Sequence, residues 1–454
     1  SNTANRISLA LSFWKKGSVQ IDPYHQFSID LCFRDGHYYC DKSPGVSFLA
    51  LPFVGAAYTV LQAAGRTDNL DKFDPVFSSD EFPEPNVNFK FLLIAGTLVV
   101  SLIGAIAVVV MYQLMLLFGS TQRVAILFAL LLGFGTPLGV WATTMFGHAP
   151  AASFLLFGVT LGFYLTEFGC KNYFVKTLLW IVTGIILAYS VWIEYTAAVP
   201  ACFLGLSFIA MMTAKGYSLR QISFEVTMMC CGAVPIACCF FVYNTIAFGS
   251  PFQLGYRFSV GFPEMEDGLY GIKLPDLHVL FLTLFSFQHG ILWFSPVLFL
   301  SPFYAVLNIK QGRYRILNLV CLFILIYYFS INSAYAYWAQ TYLSCRHVTA
   351  AMPFLIIPIG LAWSHLGKNL RTITGILMVI SFVACFSAMN VPASSEFMNA
   401  KNKIAFVLLQ FVTGNVRNLP YYLGLNTYLA IGILLFVWLV TGRLLWKYSQ
   451  PLTK

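Results

Sequence analysis

Apolar residues along the chain fall into long, nearly uncharged runs. They lie near 89–118, 122–145, 149–167, 174–194, 196–213, 222–248, 288–309, 314–333, 348–366, 372–390 and 426–446. Each has about the twenty residues that a helix needs to cross hydrocarbon, where lipid offers no partner to an unpaired backbone group. The pattern therefore predicts an all-α polytopic membrane protein with about 11 transmembrane helices. A further apolar stretch, Val46 to Ala64, is marginal in length and runs into an acidic, proline-rich loop bearing Asp68, Asp71, Asp74, Asp80, Glu81 and Glu84. It reads as an interfacial or re-entrant helix in preference to a full span, which would reverse the side of every later loop against the charge count.

Composition agrees with this. Only 10% of the 454 residues are charged and 58% are hydrophobic, with a mean hydropathy of +0.74. A soluble domain carries about a quarter charged residues, so soluble, disordered and coiled-coil classes are excluded. The net charge of +9 reports orientation before any nucleic-acid partner, and none is expected. If the first run enters from outside, one face collects Arg123, Lys171, Lys176, Lys215, Arg220, Lys310, Arg313, Arg315, Lys368, Arg371, Arg443, Lys447 and Lys454. Those 13 basic residues stand beside only Glu167 and Glu225, whereas the other face holds 14 basic and 16 acidic residues. The positive-inside rule then puts residues 1–88 outside, 89–446 in a transmembrane helical domain and 447–454 in a cytoplasmic tail. Because the chain starts on the outer face at Ser1, twelve spans with the first preceding this sequence are expected. A cleaved signal peptide is the alternative.

Few charges sit within the runs, which argues against an ion-driven transporter. Most of the 11 cysteines, among them Cys230, Cys231, Cys238 and Cys239, lie in apolar surroundings where a thiol acts as a small hydrophobe. Cys32 and Cys40 form the one pair worth testing for a disulfide. The densest chemistry lies at 18–47, where Asp22, His25, Asp30, Arg34, Asp35, His37, Asp41 and Lys42 share 21 positions among the breakers Pro23, Gly36, Pro44 and Gly45. Asp22, His25 and Asp30 could by spacing alone supply three metal ligands.

In this segment, Tyr38-Tyr39-Cys40-Asp41-Lys42-Ser43-Pro44-Gly45 resembles the Y-x-[DE]-K-x-P element in the first outer loop of GT-C membrane glycosyltransferases. That class includes protein O-mannosyltransferases and lipid A aminoarabinose transferases. A closer likeness is to the bacterial dolichyl-phosphate-mannose-protein mannosyltransferase-like subgroup, which reads approximately IDxYH and then GHYYSDKAPG. Matches continue in order: Phe146-Gly147-His148-Ala149, Glu194-Tyr195, Tyr243-Asn244, Phe248 to Phe252, Leu274-Pro275-Asp276, Gly290, Ser295-Pro296, Cys345-Arg346-His347 and Pro353-Phe354. The resemblance covers Asp22 to about residue 365.

The resemblance implies a GT-C-like bundle with outer-face juxtamembrane helices and loops. It also implies an inverting transfer of a sugar from a polyprenyl-phosphate carrier to a lipid, glycan or protein acceptor, on the outer side of an inner or plasma membrane. The family's lysine contacts the carrier phosphate, and that role carries over to Lys42; simple snorkelling is the bland reading. Arg346 and His347 are further candidates for the donor phosphate. His25, Tyr39, Asp41, His148, Glu194 and Tyr195 are candidates for substrate contact, with orientation of Lys42 the favoured role for Asp41. Many members carry the general base directly after their first span, but residues 1–18 here contain no acid, so Asp22 and Asp30 are the candidate bases. Tyr335, Tyr337, Trp338 and Tyr342 crowd one outer loop as interfacial anchors or sugar-stacking groups. Lysine and arginine suffice to activate a monophosphate-linked donor, so neither metal nor cofactor is expected. A lipid transporter or flippase, or a non-catalytic assembly subunit of an envelope-glycan machine, would use the same surfaces without a base.

Overall fold

The computed structural model describes residues 2–73, 85–266, 268–339, 343, 346–391 and 395–416, with isolated positions between 426 and 443. The helices are α1 (Asn2–Lys16), α2 (Gly45–Ala63), α3 (Val87–Leu117), α4 (Gln122–Phe134), α5 (Pro137–Ala142), α6 (His148–Glu167), α7 (Tyr173–Ile193), α8 (Ala198–Ala214) and α9 (Leu219–Phe248). They continue as α10 (Leu277–Phe285), α11 (Ile291–Phe294), α12 (Ser301–Lys310), α13 (Arg315–Ala334), α14 (Met352–Trp363), α15 (Lys368–Asn390), α16 (Ser395–Asn399) and α17 (Lys403–Val412). Between α1 and α2 stands one antiparallel hairpin, β1 (Leu31–Arg34) with β2 (His37–Cys40). Among the described residues eight helices are long and apolar enough to cross a membrane, and the chain is an all-α polytopic membrane protein apart from that hairpin.

Ten of the eleven expected spans fall on described helices; the eleventh, 426–446, and the tail at 447–454 lie largely or wholly outside the described residues. Two differences matter. The N-terminal segment, expected as turns and short surface helices, opens with the 15-residue α1, buried from Ala4 through Ser12. The stretch expected to be interfacial is the 19-residue α2, which reaches the length and apolarity of a crossing helix.

The chain divides into two compact units. In the first, comprising 1–106, 141–274 and 334–336, glycines set the helix spacing. A Cβ on Gly184 of α7 would come within 1.8 Å of the Met229 carbonyl on α9, and one on Gly232 of α9 within 1.9 Å of the Ile181 carbonyl on α7. Only hydrogen fits at these two crossings. A Lys176–Glu225 ion pair at 2.5 Å ties the same two helices. Against α2, the Trp14 ring of α1 lies over Gly55, where a Cβ would stand 2.6 Å from it.

The second unit holds 107–140, 275–333 and 337–454. Here two expected spans are broken, between α4 and α5 and between α11 and α12. The freed backbone groups are met from within the unit: Ser295 Oγ donates to the Gly135 carbonyl at 2.7 Å, and Val297 N donates to Ser381 Oγ at 3.2 Å. A break at membrane depth needs such partners, because hydrocarbon supplies none.

Candidate active site

The hairpin turns on Asp35 and Gly36, with φ of 50° and 81°. An Asp-Gly pair suits this two-residue turn, since both positions need the left-handed region. Asp22 secures the second strand. Its Oδ1 accepts Tyr38 N–H at 2.6 Å and its Oδ2 lies 2.9 Å from His37 Nδ1. His25, in the 3₁₀ turn Asp22–Phe27, stacks on Tyr38 at 4.4 Å and puts Nδ1 2.6 Å from the Asp22 carbonyl. On the first strand, Cys32 sits against the 255–260 segment, with its thiol 2.9 Å from the Gly255 carbonyl, while Val260 N–H donates to the Leu31 carbonyl at 2.9 Å.

The second strand delivers Asp41 and Lys42 to the start of α2. Lys42 Nζ lies 2.7 Å from Asp41 Oδ2 and 3.1 Å from Asp30 Oδ1, with the rings of Phe262 and Tyr256 at 5.2 and 5.9 Å. Asn5 of α1 donates from the same amide nitrogen to Asp41 Oδ1 at 3.0 Å and to the Asp30 carbonyl, while Asn5 Oδ1 is buried with no hydrogen-bond partner. Next along α1, the buried Arg6 donates to the Ser43 carbonyl at 2.7 Å and to Asn2 Oδ1 at 2.9 Å. Burial opposes the charge of Lys42, but Asp41 and Asp30 outweigh it and hold its pKa above the ordinary lysine value. Asp41 is pushed up by burial against the pull of Lys42.

Close backbone approach fixes this cluster in place. A Cβ on Gly45 would meet the Trp192 carbonyl at 2.4 Å, and Tyr189 OH donates to the Gly45 carbonyl at 3.1 Å, so α2 starts directly against the end of α7. The Ser43 hydroxyl donates to the Trp192 carbonyl. At Gly147, before α6, a Cβ would stand 2.7 Å from Glu194 Oε2 and 3.4 Å from Arg6 Nη2. His148 Nδ1 is 3.5 Å from Glu194 Oε2. Tyr195, the residue after Glu194, packs 5.8 Å from the rings of Tyr256 and Phe240. Two carboxylates, an ammonium and a guanidinium thus converge at the starts of α2 and α6 and the end of α7, with the His148–Glu194 pair on the Arg6 side.

The candidates from sequence divide accordingly. Asp30, Asp41 and Lys42 come together, with His148, Glu194 and Tyr195 around Arg6 and Ser43. Asp22 and His25 brace the hairpin instead, so the three groups whose spacing suited a metal go to different partners. Tyr39 is a buried core side chain beside Phe248. Arg346 and His347 lie in the second unit, where Arg346 Nε donates to His347 Nε2 at 3.0 Å ahead of α14; Cys345 lies outside the described residues. Cys32 and Cys40 are free thiols, not a disulfide, and burial pushes the Cys40 thiol up to about 12. Asn5, Arg6, Tyr256 and Phe262 were not singled out from sequence. The signal for the first two was a polar Asn-Arg pair opening a run with apolar residues at Ala4, Ile7 and Leu11, a spacing that turns one face inward.

This convergence of charge on a polytopic helical bundle defines the class: an integral membrane protein with a polar site built where helices end. Its fold is similar to that of ArnT from Cupriavidus metallidurans bound to undecaprenyl phosphate, with a TM-score of 0.52, 13% identity and 91% of this chain covered. The match spans 66% of the length of the ArnT chain, just under two thirds. At that identity the likeness is one of fold. No family model and no curated protein matches the chain.

Proposed function

We propose that the chain is an inverting glycosyltransferase that moves a sugar from a polyprenyl-phosphate carrier to an acceptor hydroxyl or amine at the outer face of the membrane. The observation that carries this reading is the Lys42 ammonium held at 3.1 Å from Asp30 and 2.7 Å from Asp41 at the start of α2, on an ArnT-like fold. ArnT itself was solved with a polyprenyl phosphate bound.

The chemistry follows from the groups present. A carrier phosphate arriving at Lys42 competes with Asp30 for the ammonium. Lys42 then neutralises the charge that grows on the phosphate as the glycosidic C–O bond breaks, with Arg6 adding field from α1. Asp30, released from Lys42, takes the proton of the acceptor as its oxygen or nitrogen attacks the anomeric carbon from the opposite face. Asp41, buried and held by Asn5 and Lys42, orients the lysine. His148 and Glu194 face the acceptor sugar through the Arg6 side of the site. No step here calls on a metal.

Asp30→Asn should lower sugar transfer by about a hundredfold or more while keeping affinity for the polyprenyl-phosphate sugar. Lys42→Ala should lower that affinity by about tenfold or more, as loss of a charge-assisted contact does. Transfer and donor binding are measured on protein in nanodiscs. Donor binding without any transfer in the wild-type protein, across lipid and glycan acceptors, would leave a lipid flippase as the better reading.

A further inference from the structure

A second polar site lies at the other end of α1. Ten residues past Asn5 and Arg6, or about 15 Å along a helix rising 1.5 Å per residue, a cavity of about 460 Å³ opens beside Lys15 and Lys16. Its other walls are the connection from α1 to the 3₁₀ turn, including Gln20 and Tyr24, and the turn after α2, including Thr67 and Asn69.

The cavity is preformed. Asn69 holds a left-handed φ of 62°, which asparagine tolerates better than most side chains. Its carbonyl accepts Lys72 N–H at 2.9 Å and the Asn86 amide, and Asn88 Nδ2 donates to the Arg66 carbonyl at 2.9 Å, so the turn is tied to the start of α3. On the opposite wall, the Ser12 hydroxyl donates to the Gln20 carbonyl, and Gln20 N–H donates to Ser18 Oγ at 3.1 Å.

What these bonds leave over indicates the ligand. Among the described residues, the side chains of Lys16, Gln20, Thr67 and Asn69 make no hydrogen bond or ion pair within the protein, although all four line the cavity. Of the two acids on the lining, Asp22 gives both oxygens to His37 and Tyr38, whereas Asp71 stays a solvated carboxylate on the rim, 4.0 Å from its exposed neighbour Lys72. Lys15 is steadied by the Tyr24 hydroxyl at 3.3 Å and the Tyr58 ring at 5.6 Å. Lysines in a last helical turn complement the helix dipole, which accounts for their charge. It does not account for two amides and a hydroxyl gathered with them around a cavity. Amides and hydroxyls suit a polyol, and the cations suit an anionic group on it.

We infer that this cavity binds the anionic portion of an extended saccharide, the acceptor whose other end reaches the Lys42 cluster. The inference rests on the glycosyl transfer proposed above. Because the two sites stand about 15 Å apart along α1, a ligand touching both is an oligosaccharide or a glycan chain, not a monosaccharide.

The test measures binding of an oligogalacturonate and of a neutral glucose oligomer of equal length to the full chain in zwitterionic nanodiscs. The uronate should bind and the neutral oligomer should bind about tenfold or more weakly, the worth of a charge-assisted contact. Lys16→Glu should remove that preference and Gln20→Ala should weaken both oligomers, each with affinity for a polyprenyl phosphate unchanged. No uronate binding to wild type, or equal binding in Lys16→Glu, overturns the inference. So does displacement of the uronate by phosphatidylglycerol in the nanodisc, which would mark a lipid-headgroup site. Lys42→Ala separates the two readings: unchanged polyprenyl-phosphate affinity there sinks the transfer proposal, whereas failure of the Lys16 arm alone sinks only the acceptor cavity.

Discussion

At the scale of single residues, two aspartates that look equivalent in the sequence have different employment. Asp30 contacts the lysine at the start of α2, whereas Asp22 spends both oxygens on the hairpin. Asp22→Asn should therefore show its loss chiefly in stability. It keeps one acceptor but not the His37 contact, a change of about 1 kcal/mol for a half-exposed pair. Asp30→Asn should show the reverse, and thermal unfolding alongside the transfer rate checks both. A hundredfold loss of kcat in Asp22→Asn at unchanged melting temperature would falsify the division of roles. The thiols give a pH reading. Burial raises Cys40 to about 12 and Cys32 well above its ordinary value, so in the folded state neither forms thiolate at neutral pH. The sign is that alkylation at both should stay negligible from pH 7 to 9 and appear only when the protein unfolds. Site-resolved mass spectrometry after maleimide treatment, with and without denaturant, measures it. Sequence placed Asp30, Asp41 and Lys42 in one segment but did not distinguish Asp30 from Asp22. Nothing in residue spacing says which carboxylate the hairpin consumes.

At the scale of elements, apolar run length located the spans well because the bilayer imposes it. It missed the breaks at Gly135 to Pro137 and Ser295-Pro296, because apolarity persists across them while Ser295 Oγ donates to the Gly135 carbonyl and Ser381 Oγ accepts from Val297 N–H. It also missed α1, where Asn2, Asn5, Arg6, Lys15 and Lys16 make the residues too mixed in polarity to register as an apolar run. The α7–α9 contact yields a sharp expectation. Gly184→Ala would put a methyl 1.8 Å from the Met229 carbonyl, so the helices must separate or rotate. We expect a loss of about 1–3 kcal/mol, in the range of overpacking. Gly375→Ala on α15, where a Cβ meets nothing within 4 Å, should be neutral or slightly stabilising. Melting temperatures of the two variants in the same detergent give the comparison, and equal values would show that α7 and α9 are not held by backbone approach.

At the scale of the whole molecule, charge asymmetry is the main guide to sidedness. With α2 lying along the interface and not crossing, thirteen basic residues against two acids on one face predict that position 35, at the tip of the hairpin, is outside and position 313 inside. With Asp35→Cys and Arg313→Cys in separate proteins, a membrane-impermeant maleimide applied to intact cells should label the first and spare the second. The opposite pattern would reverse the orientation and move the Lys42 cluster to the cytoplasmic face.

The loops that close the lysine cluster differ in length, and this gives its assembly an order in time. Asn5 meets Asp41 across 36 residues and Arg6 meets Ser43 across 37, but Ser43 meets Trp192 only across 149. Closure entropy rises slowly with loop length, but synthesis is sequential and delivers the N-terminal part first. A ribosome that has released α2 has already supplied both carboxylates, the ammonium and the guanidinium. What the nascent chain then lacks is the floor, the Trp192 carbonyl and Tyr189 hydroxyl against Gly45, without which the charges are assembled but not yet set at a fixed height.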